Sequence, residues 1–143
     1  VFEFTLKTQA RPWASRKLAK AAVGIVAEIV TDAEAVYNFD LVLSEACANV
    51  VRHAYLGRGP GELEILLRVE PGSHLELEVA DWGMGFRELP PTVQNAAPES
   101  EGGRGLFIMS ELADVFEVRR QPDGKNLVYM KMTIRGEAWK ACE

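Results

Sequence analysis

Between Leu63 and Val79 apolar residues recur at every second position in two successive runs, and this period of two constrains the fold more than any other feature of the chain. Leu63, Ile65, Leu67 and Val69 form the first run, Pro71-Gly72 supplies a turn, and Leu75, Leu77 and Val79 form the second. Side chains two apart on a strand share a face. Each run therefore reads as a strand with one buried and one wet face, as in a largely antiparallel sheet. Such a sheet needs a second layer over its apolar face.

The flanking segments supply that layer. VFEFTLK, residues 1–7, alternates as a strand. Pro12 opens a helix running to about Val30, with Ala14, Leu18, Ala21, Ala22, Ile25 and Ile29 at helical spacing. Thr31 and Asp32 are N-cap types for a second helix from Ala33 to Leu56, which LGRGPG ends. Residues 82–102 are rich in Gly, Pro, Glu and Asn, and a connection of that length is expected to be a functional lid. A third helix is expected over Gly103–Leu112, then a strand over Val115–Arg120, a turn at Pro122-Asp123-Gly124, and a strand carrying Val128, Met130, Met132 and Ile134. The order predicts an α+β two-layer sandwich: a mixed, mostly antiparallel sheet with helices on one face, formed by a single domain over residues 1–143.

Charge and composition exclude several functions. A net charge of −5 and a pI near 5.2 argue against a phosphate-backbone binder, so no direct nucleic-acid contact is expected. The apolar runs fall far short of the ~20 residues a membrane span needs. Cys47 and Cys142 make no disulfide framework, and His53 and His74 lie too far apart for a zinc motif. With no secretory leader among these residues, a soluble, cytoplasmic protein is expected.

Three segments carry the chemistry. In LVLSEACANVVRHAY, residues 41–55, a helical wheel at ~100° per residue places Glu45, Asn49, Arg52 and His53 within one arc. Phe39, Leu43, Cys47, Val50, Val51 and Ala54 gather opposite. Alone, that is also the pattern of any amphipathic helix. In DWGMGF, residues 81–86, Gly83 and Gly85 leave room for a ligand to approach the backbone at a strand end, and Asp81 offers an acceptor beside that gap. In EGGRGLFIMSELAD, residues 101–114, glycines at 102, 103 and 105 precede an apolar-periodic helix, whose N-terminal N–H groups and dipole favour phosphate. Neither a G-x-x-x-x-G-K-[ST] P-loop nor a G-x-S-x-G elbow is present.

Taken together and in this order, the three segments resemble the N, G1 and G2 boxes of the GHKL (Bergerat-fold) ATPase superfamily. SEACANVVRHAY and EGGRGLFIM look most like the small anti-sigma-factor serine kinases. The resemblance covers essentially the whole chain. It implies ATP and Mg2+ as cofactors, with Glu45 as general base, Asn49 as magnesium ligand, and Asp81 as the group that recognises adenine. It further implies that Gly83, Met84 and Gly85 pass the base, that Arg52 and His53 line the nucleotide pocket, and that Gly103, Arg104, Gly105 and Leu106 face the phosphates. Two departures stand out. Family members often carry a threonine near the base in the last strand, where this chain has Asn126-Leu127. Some carry an arginine before G2, where Glu99-Ser100-Glu101 stands here.

The chemistry of these residue types agrees. Magnesium takes oxygen ligands, keeps several waters and shares substrate phosphates, so one amide oxygen suffices. Glu45 lies one turn before Asn49, ~6 Å along a helix axis, and phosphoryl transfer needs mainly positioning, charge neutralisation and a base. The resemblance implies a serine/threonine-protein kinase that phosphorylates an anti-sigma-factor antagonist on serine, sequesters a sigma factor and forms a homodimer. Two alternatives are an ATP-gated binding module without transferase activity and the catalytic domain of a sensor histidine kinase. The latter needs a phosphoacceptor hairpin that these residues do not contain. For Trp82, Phe86, Phe107 and Trp139, core packing and partner contact are both open readings.

Overall fold

The computed structural model describes residues 1–55, 61–83 and 101–140, without the side chains of residues 101–104 and 106. Five strands and three helices follow in the order β1 (Phe2–Gln9), α1 (Pro12–Ile29), α2 (Ala33–Asn49), β2 (Glu62–Glu70), β3 (His74–Asp81), α3 (Glu101–Leu112), β4 (Val115–Arg120) and β5 (Asn126–Thr133). A π-helical turn, Val50–Ala54, prolongs α2, and a 3-10 turn, Gly136–Ala138, follows β5. The second helix expected to reach Leu56 is thus regular only to Asn49, and the third begins at Glu101, two residues earlier than the glycine pattern suggests.

The sheet order is β1-β2-β3-β5-β4. Every described pairing is antiparallel, so the expected mixed sheet is in fact uniformly antiparallel. Its period of two sorts the faces. Leu67, Leu77, Met130 and Phe116 lie in one cross-strand row, and Ile65, Val79, Val128 and Val118 in the next. These rows join the core beneath the helices. The opposite face carries charge instead: Arg68 meets Glu3 at 2.8 Å, Glu78 at 3.4 Å and Glu76 at 3.5 Å. Opposite charges on neighbouring strands support register while leaving this face wet.

Two hairpin turns need glycine. Gly72 has φ 83° between β2 and β3, and Gly124 has φ 89° between β4 and β5, a region that L side chains rarely occupy. Pro12 takes the first turn of α1, where its missing N–H costs nothing. Ser15, Ala19, Ala22 and Val26 form the buried stripe of α1, and these small side chains let it lie close on α2. Of the two expected caps of α2, Asp32 is the one used, its carboxylate accepting from the Glu34 N–H at 3.0 Å.

The layer of helices is ordered around α2, which packs on α1, α3 and β3. Phe39, Val42, Leu43, Ala46, Cys47 and Val50 of its length are buried. Val42 and Ala46 extend the apolar face beyond the stripe read from the wheel, while Val51 is half-buried. Trp139 joins the core as a partly buried residue, its Nε1–H donating to the Ile134 carbonyl at 3.0 Å, which settles it as a packing residue. No described helix is long and apolar enough to cross a membrane.

The alternation makes a direct prediction. Leu67→Ala, on the fully buried row, is expected to cost about 2–5 kcal/mol through lost transfer energy and a cavity. Leu66→Ala, one residue away on the charged face, is expected to cost roughly 1 kcal/mol or less. Denaturant unfolding of the two variants side by side checks this.

Candidate functional site

The end of α2 meets the end of β3 in a contact that only glycine permits. A Cβ placed on Gly83 would lie 1.9 Å from the Ala54 carbonyl oxygen, far inside any real contact. Gly83 therefore serves first to let the strand end pass under the π-helical turn, a role distinct from the ligand approach that its motif suggests. Just before the turn, the Val50 N–H is shared between the Ala46 and Cys47 carbonyls. Bonding from residue i to i+5 advances each residue by less than a regular helix does. A wheel drawn at 100° per residue therefore does not apply beyond Asn49.

Tyr55, the next residue, fastens the same junction. Its hydroxyl donates to the Glu62 carbonyl at 2.5 Å and accepts from the Trp82 N–H at 2.9 Å, bridging the adjoining ends of β2 and β3. Burial, joined by the negative charges of Asp81 and Glu62, pushes this hydroxyl above its ordinary pKa range, so it stays a protonated donor. The tyrosine ring also fills the space beside Gly61, where a Cβ would fall 2.0 Å from Cε1. Sequence reading missed Tyr55. Its only signal was its place as the last residue of the segment LVLSEACANVVRHAY.

Asp81 ends β3 on the core-facing side of the sheet, with Leu63 and Asn126 opposite it on the neighbouring strands. It is buried. Its Oδ1 accepts from the Gly83 N–H at 2.9 Å and from Asn126 Nδ2 at 2.9 Å, and Asn126 Nδ2 also reaches the Gly83 carbonyl at 3.0 Å. The asparagine that departs from the family's threonine is therefore joined directly to Asp81. Met84, Gly85 and Phe86 lie outside the described residues, as does the expected lid from Arg87 to Gly102 except for its last two residues, Glu101 and Gly102, which open α3.

Glu45 and Asn49 project from α2 toward α3. A Cβ on Gly105 would stand 2.9 Å from Glu45 Oε2 and 3.5 Å from Asn49 Nδ2, so α3 crosses α2 directly over this pair. Arg52 completes the group, with Nη2 3.3 Å from Asn49 Oδ1 and 3.9 Å from Glu45 Oε2. The wheel placed Asn49 on the wet face, but it is only 9 % exposed, whereas the side chains of Glu45 and Arg52 are 31 % and 42 % exposed. The cause is the cover that α3 lays over it, which no single-helix projection contains. His53 is exposed and has no polar partner among the described residues, so it is not drawn into this group.

Gly103, Arg104 and Leu106 lie in the first turns of α3, their side chains outside the described set. Because the helix starts at Glu101, the N–H groups of residues 101–103 are left without an intrahelical acceptor. Gly105 sits one turn inside, where its value is the close approach to Glu45 and Asn49. A groove of about 570 Å³ runs between α1 and α2, lined among others by Ser15, Arg16, Lys20, Ser44 and, at one end, Glu45 and Arg52. Cys47 also borders it, but burial pushes its thiol up to about 12, so it remains a neutral thiol at physiological pH. Among the described residues no cluster of His, Cys, Asp and Glu could by itself cage a metal ion.

This geometry defines a class. The chain belongs to the histidine kinase-like ATPase domain family, whose model matches residues 8–132. Within it, the chain is similar to the serine-protein kinase RsbW of Bacillus subtilis, with 33% identity over 122 residues, 80% of this chain and 74% of that protein. RsbW of Bacillus velezensis is 34% identical over 108 residues, 70% of this chain and 66% of that protein, so the chain spans just under two thirds of this relative. The anti-sigma F factor of Halalkalibacterium halodurans is 28% identical over 122 residues, 82% of this chain and 83% of that protein. Among solved structures, the RsbU and RsbW domains of a Mycobacterium tuberculosis protein superpose with a TM-score of 0.68 at 15% identity, over 100% of this chain and 34% of that one. The histidine kinase domain of a blue-light activated histidine kinase from Erythrobacter litoralis gives 0.58 at 19% identity, over 84% of this chain and 59% of that one. Both structures bear on the fold alone.

The two glycines should respond differently to a methyl group. Gly83→Ala sets a Cβ against backbone that cannot swing aside, and is expected to cost at least about 1–3 kcal/mol. At Gly105 the obstructing atom is the tip of a glutamate side chain, so Gly105→Ala is expected to cost under about 1 kcal/mol while displacing Glu45. Thermal unfolding of both variants measures the contrast.

Proposed function

We propose that this chain is a serine/threonine-protein kinase acting as an anti-sigma factor: it uses ATP to phosphorylate an anti-sigma-factor antagonist on serine, and it sequesters a sigma factor. The observation that carries the reading is the meeting of Glu45 and Asn49 beneath Gly105 of α3. An acid and an amide oxygen one helical turn apart face the start of a helix whose first N–H groups can receive phosphate. The similarity to serine-protein kinases RsbW and to an anti-sigma F factor supports the same assignment. We further propose one ATP-binding domain over residues 1–143, a homodimer, and a cytoplasmic location.

Each residue then has a task. Asp81 accepts from the adenine amino group, with Gly83, Met84 and Gly85 beside the base. Gly103, Arg104, Gly105 and Leu106 form the phosphate-facing segment, and Arg52 and His53 border the pocket. Glu45 takes the proton of the serine hydroxyl as its oxygen attacks the γ-phosphorus and ADP leaves. A positioned base of this kind contributes typically 10²–10⁴-fold.

The donor set fits magnesium and not a transition metal. One partly covered amide oxygen on Asn49, with no cage of His, Cys and carboxylates among the described residues, suits an ion that keeps waters and shares its sphere with phosphates. Asn49 would hold it, and the ion would neutralise phosphate charge. Arg52 Nη2 lies 3.3 Å from the Asn49 oxygen and takes one of its two lone pairs, which leaves the other for the ion.

Two measurements test the proposal. Glu45→Gln keeps shape and removes the base, so ATP binding is expected to persist while phosphotransfer to the antagonist falls by roughly 10²–10⁴. Equal transfer rates for both proteins would remove Glu45 as base, and absence of transfer from either would favour an ATP-gated binding module. Asn49→Ala is expected to weaken nucleotide binding by about tenfold or more with magnesium and far less in its absence. Calorimetric losses of the same size in both conditions would make Asn49 a pocket residue and not a metal ligand.

A further inference from the structure

Asn126 lies on β5, in a different element from each of the three motif segments, yet it is the side chain that holds Asp81. The chemistry of its partners fixes its orientation. A carboxylate and a backbone carbonyl are both acceptors, so the end of Asn126 facing Asp81 Oδ1 and the Gly83 carbonyl must be its NH2 group. Both amide protons are thereby used. Asp81 Oδ1 receives a second bond from the Gly83 N–H, while Oδ2 accepts none among the described residues. The carboxylate is thus pinned through one oxygen and presents the other.

We infer that Asn126 is a specificity-determining residue: by anchoring Oδ1 it leaves Asp81 Oδ2 as one fixed acceptor for an exocyclic amino group on the bound base. The inference rests on the reading of Asp81 as the base-recognising group. A carboxylate free to turn would present either oxygen to water and lose much of its selectivity, because discrimination by a hydrogen bond depends on a fixed, desolvated acceptor. The sheet order supplies the anchor. Placing β5 beside β3 sets Asn126 directly opposite Asp81, so the donor arrives from the strand ladder and not from a mobile loop.

The test compares the full chain with Asn126→Leu and Asn126→Ser, titrating ATP and purine riboside triphosphate, the same nucleotide without the 6-amino group, in a calorimeter. Leu keeps the size of Asn, adds no charge beside Asp81 and has no donor. Ser loses the shape and keeps a hydroxyl that donates directly or through one water. The wild type is expected to prefer ATP by about tenfold or more, the worth of one hydrogen bond to a charged group. That preference is expected to shrink to about threefold or less in Asn126→Leu and to survive in Asn126→Ser. A preference kept in Asn126→Leu would overturn the inference while leaving the Asp81 reading intact. No preference in the wild type would sink both. Thermal unfolding of each variant reports whether it folds, and should Asn126→Leu not fold, Asn126→Ala against Asn126→Ser makes the same comparison, with equal preferences in the two overturning the inference.

Discussion

The passage of the Gly83 backbone beneath the Ala54 carbonyl is the contact on which the rest of the arrangement depends. It joins the end of the second helix to the end of β3 without an intervening side chain, and Tyr55 adds hydrogen bonds to both adjoining strands at the same point. Glu45 and Asn49 lie upstream on that helix, and Asp81 lies two residues before that glycine. The spacing between the two halves of the candidate site is consequently set by backbone and by the hydrogen bonds of the Tyr55 hydroxyl. A methyl group at Gly83 would move one half relative to the other, which is why this glycine matters before any ligand is considered.

Sheet topology does comparable work on the other side. Because β5 runs between β3 and β4, the start of one hairpin strand lies against the end of β3, and Asn126 can bond both Asp81 and Gly83. The turn that carries Asp81 is therefore held from the helix side by Ala54 and Tyr55, and from the sheet side by Asn126. Groups fixed in this way require little reorganisation to receive a ligand, the general condition for selective polar recognition.

At Glu45 and Asn49 the arrangement is looser. Arg52 is half-exposed and its contacts are 3.3 and 3.9 Å, lengths that in a solvated setting are worth at most about 1 kcal/mol. The guanidinium can leave at small cost, while the close cover of Gly105 over the pair cannot be lost without moving α3. A weakly held charge beside a covered amide suits a site whose occupant brings its own charge. The charged outer face of the sheet has a different function: Arg68 among Glu3, Glu76 and Glu78 supports from the wet side a register that the buried face sets.

Element order, the faces of the strands and the residues of the three glycine- and acid-bearing segments were legible from local pattern alone. Period-two and period-3.6 patterns are local, and Pro71-Gly72, Pro12 and Asp32 mark boundaries through backbone chemistry that needs no partner. What the sequence by itself could not determine depended on distant residues. Helix α3 covered Asn49, the strand order gave Asp81 its asparagine, and Ala54 explained Gly83. Each of these is a contact between elements far apart in the chain, and a one-dimensional pattern records which face is apolar but not which neighbour will cover it. Only the tertiary packing chose the neighbour, because burial rewards any well-fitted apolar surface, whereas the positions of Asn126 and Tyr55 follow from the one strand order in which their hydrogen bonds close.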